Sequence, residues 1–118
     1  MECNTKDFGQ EYKAEMRAVR DSMDVLNGKW KIPILSSLCY YNKRRFSDIL
    51  KDTTGISNRM LSKELKELEL NKLVERTIID TQPITVEYKL TEHGKTLRTL
   101  INHLTDWGIE HRRVIVGK

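Results

Sequence analysis

Four turn-forming residues followed by a serine, Thr53-Thr54-Gly55-Ile56 and then Ser57, constrain this chain more than any other stretch. They are too few for a helix or strand, and the Ser57 hydroxyl can accept from the free N–H groups of a helix that starts at Asn58. Ile56 before that cap and Leu61 after it occupy the positions of a hydrophobic staple. Beyond the cap, Leu61, Leu65 and Leu68 fall at i, i+4 and i+7 and share one face, so Asn58, Arg59, Ser62, Lys63 and Lys66 point elsewhere. Upstream, Ser47 predicts an N-cap with Asp48 in the first turn of a short helix reaching about Lys51. Two helices joined by a tight, glycine-containing turn make a helix-turn-helix unit.

The remaining patterns extend that unit on both sides. Tyr12, Met16, Val19, Met23 and Leu26 recur every three or four residues and mark an amphipathic helix that Asn27-Gly28 can end. A second helix should start near Lys29-Trp30, with Pro33 in its first turn and Ile34, Leu35, Leu38 and Cys39 on one side, and stop around Tyr41-Asn42. Lys43 to Phe46 reads as a short extended piece. After Asn71-Lys72 the period changes to two, and Val74–Ile79 and Thr85–Leu90 predict an antiparallel hairpin joined by Asp80-Thr81-Gln82-Pro83-Ile84. Thr91 can cap a final helix whose stripe is Leu97, Leu100, Ile101, Leu104 and Trp107. The expected fold is mainly α with a small β-hairpin (α+β), a winged helix-turn-helix. Residues 1–10 are expected as a flexible tail and 11–118 as one domain with N- and C-terminal dimerisation helices.

Composition narrows the function classes. With 118 residues the chain can enclose one modest core, and its net charge of +4 permits a polyanionic partner without demanding one. Residues 1–10 hold charged side chains and no apolar run, so a signal peptide or membrane anchor is not expected, and the protein should be soluble and cytoplasmic. Cys3 and Cys39 fit no metal-ligand spacing and are expected as free thiols, with a disulfide between them the unforced alternative, and Cys39 as a buried structural thiol. His103 and His111, with Asp106 and Glu110 between them, complete no His-Glu-x-x-His pattern, and neither a glycine-rich phosphate loop nor a nucleophile elbow is present. The sequence therefore predicts no enzyme, no metal and no cofactor.

A DNA partner follows from the residue types at the start of the helix after Ser57. A major groove about 12 Å wide accepts one helix whose N-terminal residues meet base edges. Arg59 can reach guanine bidentately, Asn58 can address adenine, and Ser57, Ser62 and Lys63 can hold a phosphate or a base edge, with Lys66 behind them. Lys43, Arg44 and Arg45 precede the motif, and Arg44 and Arg45 are expected at the DNA backbone, although three cations in a row are in themselves only a solvated segment. The wing tip Thr81, Gln82 and Pro83 would touch the minor groove or its phosphates, or be an ordinary turn, since it lacks the arginine that reads a narrow groove. A winged-helix protein-interaction module is the alternative; such a docking face would be more aromatic and less cationic. The apolar stripes Tyr12, Met16, Val19, Met23 and Leu100, Leu104, Trp107 exceed what so small a core can cover and predict a homodimer interface.

From Val19 to Trp107 the chain resembles the HxlR family of winged-helix regulators, relatives of the MarR group. The resemblance is carried by Leu26-Asn27-Gly28-Lys29-Trp30, Arg44-Arg45-Phe46-Ser47-Asp48, Gly55-Ile56-Ser57, Met60-Leu61-Ser62, Leu65-Lys66-Glu67-Leu68-Glu69, Leu73-Val74-Glu75-Arg76, Val86-Glu87-Tyr88 and Leu90-Thr91-Glu92-His93-Gly94. It implies a cytoplasmic homodimer, paired through its first and last helices, that regulates transcription from a pseudo-palindromic operator and leaves room for a small-molecule effector. Many members carry a Cys-Pro pair thirteen residues before the tryptophan, sometimes as a thiol switch; here Arg17-Ala18 stands there, so that switch is not expected.

Overall fold

In the computed structural model, which describes residues 8–80 and 82–117, the chain runs α1 (Phe8–Val25), α2 (Lys31–Tyr41), β1 (Lys43–Arg45), α3 (Phe46–Asp52), α4 (Asn58–Leu70), β2 (Val74–Ile79), β3 (Thr85–Leu90), α5 (Glu92–Lys95) and α6 (Leu97–Val116). Gly28, at φ +78°, supplies the left-handed residue between α1 and α2. Asn42, at φ +71°, closes α2 by donating its N–H to the Leu38 carbonyl. Ile34, Leu35 and Leu38 of α2, Ile49 of α3, Leu61, Leu65 and Leu68 of α4, and Val74, Tyr88 and Leu90 at the hairpin root form the buried centre, sealed by Ile56 and Ile101. The helix-turn-helix and its wing thus share one core, as the periodicities required.

Three boundaries differ from the sequence expectation. α1 begins at Phe8, inside the stretch expected as tail, while residues 1–7, Cys3 among them, lie outside the described residues. α3 begins at Phe46 with Arg45 as its N-cap, because the Asp48 carboxylate reaches back to the Arg45 N–H at 3.3 Å, which leaves Ser47 inside the helix. The expected final helix is two helices: Thr91 caps the four-residue α5 through the Gly94 N–H at 2.9 Å, and α6 starts afresh at Leu97. The extended piece before α3 is a strand, as expected, and its pairing with β3 enlarges the hairpin to a three-stranded sheet of order β1-β3-β2, with Lys43 opposite Lys89, Arg44 opposite Tyr88 and Arg45 opposite Glu87.

The junction of wing and α5 is closely packed. The Leu73 carbonyl accepts from the Thr91 N–H at 3.0 Å, the Lys72 carbonyl accepts from the Thr91 hydroxyl at 2.6 Å, and Gly94 lies flat against Leu73. A Cβ at position 94 would fall inside the van der Waals shell of the Leu73 carbonyl oxygen, which is backbone and cannot swing away.

The helices at the two ends of the chain are left largely uncovered. The Cα radius of gyration is 17.4 Å, against about 13–14 Å for a compact chain of this length. α6 is 20 residues long and buries only Ile101, while Leu104 and Trp107 are 47% and 66% exposed. On α1, Tyr12, Val19 and Met23 are exposed and Met16 is half-buried. No described helix is long and apolar enough to cross a membrane.

Replacing Gly94 with Ala is expected to cost on the order of 3 kcal/mol, as forced overpacking does, whereas Gly108→Ala, where a Cβ meets nothing within 4 Å, should be neutral or stabilising. Urea unfolding of the two variants checks this.

Candidate nucleic-acid interface

The presented face of α4 is set by what holds its other face. Gly55, at φ +94°, turns the chain beneath the Trp30 ring, and the Ile56 N–H donates to the Thr53 carbonyl at 3.2 Å. The Ser57 hydroxyl then accepts from the Met60 N–H at 3.1 Å, as the cap reading required. Leu61, Leu65 and Leu68 are buried, and Ile56 with Leu61 closes the expected staple inside the core. Asn58, Arg59, Ser62, Lys63 and Lys66 are all exposed, and Arg59, Ser62, Lys63 and Lys66, spaced i, i+3, i+4 and i+7, form one outward stripe. Among the described residues, Arg59 and Lys66 have no ion-pair partner, while Lys63 sits 3.9 Å from Glu67.

A buried charge cluster behind α4 was missed by the sequence reading. The Lys31 ammonium, 2% exposed, donates to Glu64 Oε2 at 2.7 Å, to Glu67 Oε1 at 2.7 Å and to Asn27 Oδ1 at 3.1 Å. Lysine has three N–H donors, and all three are used. Burial pushes the Lys31 ammonium down, but the hydrogen bonds and charges of Glu64 and Glu67 outweigh it and hold its pKa above 10.5. The hydrogen bond from Lys31 holds Glu67 below the ordinary 4.5. The signal was present in the pattern: Lys31 is in phase with Ile34, Leu35 and Leu38, and Glu64 with Leu61, Leu65 and Leu68.

The two arginines expected at the DNA backbone part company. Arg44 donates to the Asp52 carboxylate from Nε at 2.9 Å and from Nη2 at 2.7 Å, and lies over the Tyr41 ring at 3.9 Å. Burial pushes the Asp52 carboxyl up, yet the Ser37 and Arg44 hydrogen bonds more than offset it and keep it below the usual aspartate range. Arg44 is therefore committed inside the molecule. Arg45, its neighbour on β1, projects from the opposite face of the sheet and is exposed. At the wing tip Gln82 and Pro83 are exposed and Thr81 lies outside the described residues.

Between α4 and the sheet runs a groove of about 650 Å³. Ser62, Lys66 and Glu69 line its helical wall, and Arg76, Val86 and Tyr88 its sheet wall. Arg76 of β2 is opposite Tyr88 of β3, close enough for its guanidinium to act on the phenol. Burial pushes the Tyr88 phenol up, helped by Glu69 and partly offset by Arg76. The sequence reading gave Arg76 no role, because alternation within a strand does not say what stands across from it. Elsewhere, Cys39 is half-buried, His111 stacks on Trp107 with centroids 4.7 Å apart, and no cluster of His, Cys, Asp and Glu among the described residues could hold a metal.

Comparison with known proteins places this geometry. Residues 25–115 match the family model described as HxlR-like helix-turn-helix. The chain is similar to two uncharacterized HTH-type transcriptional regulators of Bacillus subtilis (strain 168): YdeP, 38% identical over 80% of this chain and 73% of the relative, and YtcD, 33% identical over 85% and 79%. Among solved structures it resembles the redox regulator HypR in its reduced form, with a TM-score of 0.78 and 34% identity over 86% of this chain and 99% of that one.

Lys31→Met is expected to destabilise by about 3–5 kcal/mol, because it strands the Glu64 carboxylate in the core, and a second change, Glu64→Leu, should recover most of the loss. The lowered Glu67 and Asp52 pKa values add stability that is present above the ordinary carboxylate values of 4.5 and 3.8 and is lost as pH falls below them. Denaturant midpoints should therefore be flat from pH 6 to 8 and fall below about pH 4.5. A midpoint insensitive to Lys31→Met would show that the cluster contributes nothing.

Proposed function

The chain belongs to the HxlR-like helix-turn-helix family, whose model it matches over residues 25–115, and on that premise we propose that it is a cytoplasmic transcription regulator that binds a pseudo-palindromic operator in double-stranded DNA as a homodimer. The observation that carries the reading is the outward stripe of α4, whose opposite face is locked in the core by three leucines and the Lys31 cluster. In this reading Ser57, Asn58, Arg59, Ser62 and Lys63 meet base edges, while Lys66 and Arg45 hold phosphates. Arg44, held by Asp52, braces β1 against α3. The uncovered apolar faces of α1 and α6, with Met23 at 65% exposure and Trp107 at 66%, support pairing of two copies. Two such copies read half-sites about 10 bp apart, or a multiple of it.

Sedimentation equilibrium at micromolar concentration should return a dimer, and Trp107→Glu should shift it towards monomer. On a duplex selected from a random pool, Arg59→Ala is expected to cost on the order of 1–3 kcal/mol and to relax preference at one position per half-site. A wild-type protein that binds selected and random duplexes equally, or an Arg59→Ala variant that binds its selected site as well as wild type, sinks the reading of α4.

A further inference from the structure

We infer that the groove between α4 and the β2–β3 hairpin is the seat of one DNA backbone phosphate, gripped by Lys66 from the helix wall and Arg76 from the sheet wall; this rests on the reading of α4 as the DNA reader. Four observations carry it. Ser62 and Lys66 belong both to the outward stripe that begins at Arg59 and to the wall of the groove, so a strand whose bases meet the start of α4 passes its backbone into the groove. Arg76 is exposed and has no carboxylate within ion-pair distance among the described residues, in contrast to Arg44, whose guanidinium is occupied by Asp52. Arg76 stands directly opposite the buried Tyr88 on the neighbouring strand and interacts with its phenol, and this neighbour aims a side chain that would otherwise sweep through solvent. The groove wall carries two cations against the single carboxylate of Glu69.

Lys66 and Arg76 reach the phosphate from two different elements, α4 and β2, that the chain joins through the turn at Asn71-Lys72-Leu73. Gripping it therefore ties the wing to the reader helix. Tyr88 acts here as a positioning residue, through the Arg76 guanidinium rather than on DNA itself.

Salt titrations of binding, read by fluorescence anisotropy on a selected duplex and on a scrambled duplex of equal length, test the assignment. Arg76→Ala is expected to weaken both duplexes by the same factor, about tenfold, and to lower the slope of log K against log salt by about 0.9 for each protomer bound. Arg76→Lys, which keeps the charge, should retain the slope and guards against misfolding, and Lys95→Ala, which removes the same charge from α5, should keep the wild-type slope. Tyr88→Phe should weaken both duplexes in the wild-type background and add nothing once Arg76 is alanine, a coupling that a purely structural tyrosine would not show. An Arg76→Ala variant with wild-type slope and affinity, or one whose loss is confined to the selected duplex, overturns the grip. Should wild type prefer neither duplex, the reading of α4 as a sequence reader fails, yet the slope on the scrambled duplex still decides whether Arg76 holds a phosphate.

Discussion

One buried ammonium group governs how the rest of the molecule can be arranged. Lys31 stands at the first position of α2, with Asn27 from the preceding turn on one side and Glu64 and Glu67 of α4 on the other. Leucine packing alone would let α4 roll about its axis at little cost, since apolar contact has no direction. Hydrogen bonds of 2.7 Å do have direction, and a roll of the helix would break two of them at once and leave a charge stranded in the core. The exposure of the Arg59, Ser62, Lys66 stripe is thus fixed from behind, by groups that never meet a ligand.

The fold was legible where periodicity is long enough to be read. The α4 face of Leu61, Leu65 and Leu68, the Ser57 cap and the two hairpin strands stand where the pattern put them. β1 was legible as a short extended piece, but its partner was not, because pairing with β3 some forty residues later leaves no mark on three residues of sequence. The break between α5 and α6 was hidden because Lys95-Thr96 continues a helical pattern; in the structure Thr96 closes α5 by donating its N–H to the His93 carbonyl at 3.1 Å. Lys31 and Glu64 look like solvated charges to any reading that sorts residues by polarity first. Their phase within leucine stripes was the better guide, and their opposite signs made burial tolerable.

Arginine's part in this molecule is decided by neighbours and not by position in a cationic run. Arg44 and Arg45 are adjacent in the chain, yet the pleat sends one to Asp52 and Tyr41 and the other to solvent. Arg76, isolated in the sequence among Glu75 and Thr77, meets Lys66 across a groove. A charge run in a sequence reports local solubility, whereas a cationic site is assembled by the fold from residues distant along the chain.

The contact of Gly94 with Leu73 also divides the chain into parts that can and cannot drift over generations. Every amino acid other than glycine adds at least a Cβ, so position 94 has no neutral neighbour in sequence space, and the root of the wing is held fixed along with it. Leu104, Trp107 and Ile109 on α6 touch nothing that the monomer core needs, so they are free to change hand in hand with α1. If α1 and α6 pair as proposed, that surface can diverge after a gene duplication while α4 is preserved. On that proposal, two sister regulators in one cell would stop forming mixed pairs long before they stopped recognising the same DNA.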